Sequence, residues 1–149
     1  EMTASQAMEV FEDAKIRKHL NVMKQVGLSY LTLGQPLSTL SGGERQRVKL
    51  AKNLGKKGSI IVMDEPTTGL HASDIRNLLN LFDLIVSRGN SLVVIEHNLD
   101  VMKQADWIID IGPDGGKNGG EVVFEGVPME MIQSSETLTA QCLRSSCTL

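Results

Sequence analysis

Two acidic residues follow directly on a short apolar run: Ile60-Ile61-Val62-Met63, then Asp64-Glu65. Carboxylates at the end of a buried strand cost free energy unless they meet a cation, a substrate or a partner. The pattern fits a pair in which one carboxylate coordinates Mg²⁺ and the next activates water. The plainer alternative is a strand end that simply reaches solvent. A second stretch, Leu40-Ser41-Gly42-Gly43-Glu44-Arg45-Gln46-Arg47, is more specific. Paired glycines at a helix start expose successive backbone N–H groups where the helix dipole is positive, and Ser41 adds a hydroxyl donor, which together make an anion site. A capped helix start alone explains Ser41 and Glu44 but not the glycines, each of which weakens a helix by about 1 kcal/mol. A third feature is His97, placed with Glu96 just past another apolar run, residues 92–95. A histidine there is either a ligand-facing group or a buried structural one.

These residues need strands and helices to bring them to one edge. Open α/β sheets bind ligands beyond the carboxyl ends of their strands. The continuous apolar runs at 59–63 and 92–95 predict strands buried on both faces, as in a parallel sheet. Between them Ile75, Leu78, Leu79, Phe82, Ile85 and Val86 mark an amphipathic helix closed by Gly89. Ser41 and Glu44 have capping-box spacing and predict a helix start at Ser41, with Val48, Ala51 and Leu54 on one face and residues 55–58 ending it. Upstream, residues 3–26 read as helix through Met8, Phe11, Ile16, Leu20 and Met23, with Gly27 as the stop. The apolar face slips in phase between Asp13 and Ile16, which divides this stretch into two helices. Residues 28–39, with Gly34 and Pro36, read as a loop. Downstream come a short helix near 99–105, a strand at 107–111, a Gly-rich turn at 112–120 and a strand at 121–124, the last two strands forming an antiparallel hairpin at the sheet edge. The alternation argues for an α/β fold with a mainly parallel sheet. Its organisation is a helical segment and loop over 1–39, then a core over 40–149.

Composition narrows the class. At 149 residues, with 41% hydrophobic and 22% charged residues, the chain has the makeup of one globular domain. Aromatics are only 3%, so the core rests on Leu, Ile, Val and Met, and the seven methionines read as packing residues. A net charge of −3 gives no electrostatic footprint for nucleic acid on this stretch. No apolar run approaches the ~18–20 residues that span a bilayer, so no membrane partner is expected and the location reads as cytoplasmic. Glu1-Met2-Thr3 is not a signal peptide. It reads as the start of an excised piece, or as a purification remnant. Cys142 and Cys147 lie five apart in a polar tail without further Cys or His nearby, so they read as free thiols rather than zinc ligands. His71 reads as a helix-start residue and His19 as surface.

Leu40 to Arg47 resembles the ABC signature motif, and Ile60 to Glu65 resembles Walker B with its following glutamate. Thr67-Thr68-Gly69-Leu70-His71 stands in the D-loop position, and His97 in that of the switch histidine. The D-loop differs from the Ser-Ala-Leu-Asp type of most transporters. It is similar to the UvrA family of excinuclease ABC proteins, as are VMKQVGLSYLTLGQP at 22–36, EHNLDVMKQADW at 96–107, and Ile109 to Pro113 with the turn to Gly120. The resemblance covers about residues 3–142 and points to the C-terminal part of the second nucleotide-binding domain. It implies a P-loop NTPase fold of the ABC ATPase kind, in which two ATP molecules lie between paired domains. Asp64 would hold Mg²⁺ through water, Glu65 would be the general base, and His97 would contact the γ-phosphate. Ser41, Gly42, Gly43 and Glu44 would belong to the ATP-binding signature, and Gly69 with its neighbours would couple the two sites. The implied parent is a homodimeric ATPase of nucleotide excision repair that binds damaged DNA and UvrB, uses ATP and Mg²⁺, and carries zinc elsewhere in its chain.

Two departures qualify the resemblance. No Gly-Lys-Ser/Thr follows a glycine-rich loop: Gly55-Lys56 precedes Lys57, and Gly116-Lys117 precedes Asn118. Without this Walker A segment the P-loop fold is incomplete, and the isolated chain is expected to be inactive. The stretch from Ala51 to Ile60 is short for the repair members, which keeps open a UvrA-like ATPase of drug resistance. An ATP-binding component of an ABC transporter is disfavoured by the D-loop. A module that never hydrolyses ATP is disfavoured by the joint presence of Asp64, Glu65 and His97.

Overall fold

Side-chain caps set where the first helices begin. Thr3 precedes α1 (Ala4–Val10): its hydroxyl accepts from the Gln6 N–H at 3.2 Å, and Gln6 Oε1 accepts from the Thr3 N–H at 2.9 Å. That is a closed capping box. Asp13 precedes α2 (Ala14–Gln25) and accepts from the N–H groups of Lys15 and Ile16 at 2.9 and 3.0 Å. The phase slip in the sequence is therefore a real break between two helices. The computed structural model describes residues 2–54, 57–113 and 119–147, which form two compact units, Glu1–Ile95 and Glu96–Leu149.

In the first unit α2 ends at Gly27, whose φ of 71° suits glycine. The Gly27 N–H donates to Lys24 O and the Leu28 N–H to Met23 O, the paired bonds of a Schellman motif. Ala4, Ala7 and Leu20 are buried between the helices, with Met2, Met8 and Met23 packed round them. Flexible thioethers suit so small a core. The chain then returns beside α1, where Ala4 and Ser5 donate to the carbonyls of Leu31 and Ser29 and Thr3 bridges Thr32. A single 3-10 turn at Leu37–Thr39 leads into α3 (Gly42–Ala51).

A strand, β1 (Ile60–Asp64), is joined through α4 (Ala72–Ser87) to β2 (Ser91–Ile95). The two strands pair in parallel, from Ile60 with Ser91 to Asp64 with Ile95. Helix α4 buries Leu78, Leu81, Phe82 and Ile85. Buried Asn90 pins the join: its Nδ2 donates to Ile85 O at 3.0 Å and its Oδ1 accepts from the Ser59 N–H at 3.2 Å. The expectation of strands buried on both faces is not met. Ile60 is 73% exposed and Ile95 57%, and Val62 and Val93 are exposed with them. Side chains alternate across a strand, and only the face carrying Met63 is covered.

The second unit holds α5 (Leu99–Gln104), β3 (Ile108–Gly112), β4 (Glu121–Gly126), α6 (Pro128–Ser134) and α7 (Leu138–Ser146). Strands β3 and β4 pair antiparallel, as expected, with an irregularity between Asp110 and Ile111, but they form a two-stranded sheet of their own and not an edge of the β1–β2 sheet. Residues 114–118 of the Gly-rich turn, and Gly55 and Lys56 after α3, lie outside the described residues. Ile108, Met131, Ala140 and Leu143 form the core, flanked by Leu99, Met102 and Phe124. Arg144 Nη1 donates to the carbonyls of Ile132 and Ser135 and ties α7 to the end of α6. The stretch read as a polar tail is thus helical and packed, with Cys142 and Cys147 exposed at its end. Among the described residues no helix is long and apolar enough to cross a membrane.

Candidate functional site

At the start of α3 Ser41 has extended backbone, and its Oγ accepts from the Glu44 N–H at 3.2 Å. Glu44 Oε2 accepts from the Ser41 N–H at 2.6 Å, so the cap closes in both directions. Arg45 N–H donates to Ser41 O at 3.0 Å. The N–H groups of Gly42 and Gly43 remain, and among the described residues nothing accepts from them. The Ser41 hydroxyl serves the cap as an acceptor, and its side chain also hydrogen-bonds the Glu44 carboxylate. Two N–H donors at the positive end of a ten-residue helix fit the oxygens of a phosphate.

The other oxygen of Glu44 is also engaged. Its Oε1 accepts from the Tyr30 hydroxyl at 2.5 Å. Burial raises the Tyr30 pKa above its usual 10.0, and the hydrogen bond and charge of Glu44 push the same way, against a smaller opposing pull from Arg47. The Tyr30 hydroxyl, with the Ser41 N–H next, holds the Glu44 carboxyl below its ordinary value. Glu44 therefore stays ionised, with both oxygens bound inside the protein.

A second contact fixes α3 against α4. The sequence places Val48, Ala51 and Leu54 on the packed face, whereas the structure buries Gly43, Arg47, Leu50 and Leu54 and leaves Val48 and Ala51 half-buried. Arg47 is 2% exposed; its Nη1 donates to Asp74 Oδ1 at 2.9 Å, and its buried Nε has no partner among the described residues. Gly43 lies against the same aspartate, since an added Cβ would stand 3.1 Å from Asp74 Cγ. A Cβ on Gly42 would meet Leu70 Cδ2 at 3.7 Å, an ordinary contact. The turn at Ser41 thus packs on the segment between Leu70 and Asp74.

Asp64 and Glu65 emerge exposed at the end of β1. Glu65 has a φ of 41°, in the left-handed region that non-glycine residues enter at a cost and that recurs at functional sites. Its N–H donates to Ile95 O at 2.8 Å, its carbonyl accepts from the Thr68 N–H at 3.1 Å, and its Oε2 accepts from Thr68 Oγ1 at 3.1 Å. Leu70 N–H closes on Thr67 O, and Gly69 has a φ of 73°. His71 stands at the start of α4, without a side-chain cap bond. Among the described residues no three His, Cys, Asp or Glu side chains gather as a metal cage. One exposed carboxylate fits Mg²⁺ shared with phosphate and water.

His97 belongs to the second unit, where Glu96 Oε2 accepts from the N–H groups of His97 and Asn98 at 3.0 and 3.1 Å. Asn98 in turn caps α5, accepting from Asp100 and Val101. The histidine's backbone is therefore held in a bonded turn. Sequence reasoning placed Thr68 in the D-loop position but missed its bond to Glu65, and it missed the roles of Tyr30 and of the Arg47–Asp74 pair. Thr68 lies three residues from Glu65, a spacing at which a hydroxyl reaches back, whereas Tyr30 and Glu44 are 14 apart and Arg47 and Asp74 27 apart.

A family profile described as ABC transporter matches residues 1–68. The UvrABC system protein A of Aquifex aeolicus is 51% identical over 148 residues, 97% of this chain and 16% of that protein. Its namesake in Methanothermobacter thermautotrophicus is 53% identical, over 97% of this chain and 15% of the relative. The chain therefore spans about a sixth of these relatives' length. The crystal structure of UvrA2 from Deinococcus radiodurans superposes with a TM-score of 0.84 at 42% identity, over 97% of this chain and 18% of that one. An ATP-binding cassette of an ABC transporter superposes at 0.65 with 22% identity, over 88% and 51%, which speaks for the fold alone.

Proposed function

Because the chain belongs to the UvrA family, we propose that it supplies the signature turn, Walker B carboxylates, D-loop and switch histidine that the second nucleotide-binding domain contributes to two ATP sites shared with an opposing domain. The observation that carries this reading is the start of α3, where among the described residues nothing accepts from the Gly42 and Gly43 N–H groups at a helix N-terminus. Gly42, Gly43 and Ser41 would reach the terminal phosphate of the ATP bound mainly to the opposing domain, so the signature turn and the Walker B carboxylates of this chain would serve different ATP molecules. Asp64 would hold Mg²⁺ through water, and the bound ion would neutralise charge on the phosphates. Glu65 would take the proton of the attacking water, its carboxylate steadied by Thr68. His97 would contact a γ-phosphate, and Gly69 would lie at the boundary between the paired sites.

In the whole protein these sites would drive an ATPase that binds damaged DNA as a homodimer and passes it to UvrB. The test is Glu65→Gln in the full-length protein, scored by ATP binding, hydrolysis and UvrB loading on damaged DNA. Binding should persist while hydrolysis falls by about 10²-fold or more. Hydrolysis near the parent rate would remove Glu65 as the base. A UvrA-like role in resistance to DNA-binding drugs is the second reading, favoured by the short connection between α3 and β1. An active ATPase that never loads UvrB on damaged DNA would select it.

A further inference from the structure

We propose that Tyr30 is a positioning residue for the phosphate-contacting turn, its hydroxyl clamping the Glu44 carboxylate so that the N–H donors of Gly42 and Gly43 stay available. The inference rests on reading that turn as a phosphate site. Glu44 lies in the first turn of α3, beside the donors an anion would use. An unrestrained carboxylate there would compete with a phosphate for the same N–H groups and repel it. The structure removes both oxygens from that competition: Oε2 closes the cap on the Ser41 N–H, and Oε1 is held by Tyr30.

The phenol is delivered by an anchored segment. Tyr30 is 56% exposed, yet its near neighbours Leu28 and Leu31 are buried. The carbonyls of Ser29 and Leu31, on either side of it, accept from Ser5 and Ala4 of α1. The backbone that carries the phenol is therefore fixed to the helical hairpin, and the phenol reaches α3 across 14 residues of sequence. It gives the segment before the signature a direct hold on the capping carboxylate. Arg47, close enough to act on both Tyr30 and Glu44, favours the ionised carboxylate at the centre of this arrangement.

The experiment uses the full-length protein and steady-state ATPase kinetics. Tyr30→Phe should raise KM for ATP about 5-fold, as expected for losing one hydrogen bond's net contribution, while kcat falls no more than about 2-fold. Glu44→Gln should act in the same direction, and the double variant should be no worse than the worse single one, because both changes break one link. A merely structural tyrosine would instead lower the active fraction, reducing kcat at constant KM together with the thermal midpoint. That result, a parental KM in Tyr30→Phe, or additive effects in the double variant would overturn the proposal. Gly42→Asp separates it from the reading beneath it, since the added carboxylate has room beside Leu70 but opposes a phosphate. If Gly42→Asp is defective and Tyr30→Phe is not, only the role of Tyr30 falls. If Gly42→Asp also leaves the kinetics unchanged, the phosphate reading falls and takes the Tyr30 proposal with it.

Discussion

Removing the Asp74 carboxylate should cost the first unit far more than its single ion pair suggests. Arg47 is 2% exposed, donates to Asp74 Oδ1 at 2.9 Å and already has a buried Nε without a partner among the described residues. In Asp74→Ala the guanidinium keeps its charge and its burial but loses its carboxylate. Stranding one member of a buried pair costs ~3–5 kcal/mol. The Asp74 side chain is 24% exposed, so water can enter beside it, and the Tyr30–Glu44 pair lies near the arginine. Both facts place the cost near the lower end, about 3 kcal/mol. For a unit running from Glu1 to Ile95 that is a fall of roughly 12–24 °C in thermal midpoint. Replacing both residues, Arg47→Leu with Asp74→Ala, removes the buried charge and should recover most of the loss, to within about 1 kcal/mol of the parent. Urea unfolding followed by far-UV circular dichroism, with the slope m checked for constancy, gives the numbers. If Asp74→Ala costs less than about 1 kcal/mol, or if the double variant is as unstable as the single, the stranded-charge argument is wrong.

The two signature glycines should respond oppositely to alanine. A methyl on Gly42 meets only an ordinary contact and should leave the stability level or raise it by up to about 1 kcal/mol. One on Gly43 presses on an aspartate that Arg47 holds in place and should cost about 1–3 kcal/mol; equal midpoints for the two would contradict the close contact. The Tyr30–Glu44 link also sets a pH dependence. The native Glu44 carboxyl titrates below its ordinary 4.5, so unfolded chains bind its proton first and stability falls as pH drops from about 4.5 through the native value. Tyr30 titrates above 10.0 in the native state, so unfolded chains lose its proton first and stability falls again as pH rises past that point. Tyr30→Phe should flatten the acid arm and abolish this group's alkaline arm in urea midpoints measured against pH; unchanged arms would count against the bond.

What the sequence disclosed were signals between residues close along the chain. Ser41 with Glu44 closes a capping box, the phase slip marks the break that Asp13 caps, and Gly27 adopts the left-handed conformation that ends α2. Each depends on neighbours within one turn, so the chain states it outright. Arg47 stayed hidden because the helical series Gly43, Arg47, Leu50, Leu54 has a charge in its middle, and apolar periodicity cannot count a buried ion pair whose partner is 27 residues away. Tyr30 stayed hidden for the same reason. The strands erred in the opposite direction: apolar residues on both sides of β1 and β2 state what those sides tolerate, while Ile60, Val62, Val93 and Ile95 show what covers them in this chain. Helices α6 and α7 escaped because Met131, Ala140 and Leu143 are too few to announce a period over such short lengths.

The motifs of the first unit are one packed body rather than three sites that happen to lie near each other. Glu65, held left-handed at the end of β1, is bonded to Thr68 through both its carbonyl and its carboxylate. Two residues further on, Leu70 lies over Gly42, and in the first turn of α4 Asp74 lies over Gly43 while accepting from Arg47. Close-packed side chains with an ion pair between them transmit a displacement instead of absorbing it. A shift of the Glu65 turn by a few tenths of an ångström would meet Asp74 already within 3.1 Å of a Cβ position at Gly43. Glycine at 43 is what permits that approach: its missing side chain lets the segment after the carboxylates bear directly on the signature turn, whereas an added Cβ on Gly42 would meet only an ordinary contact.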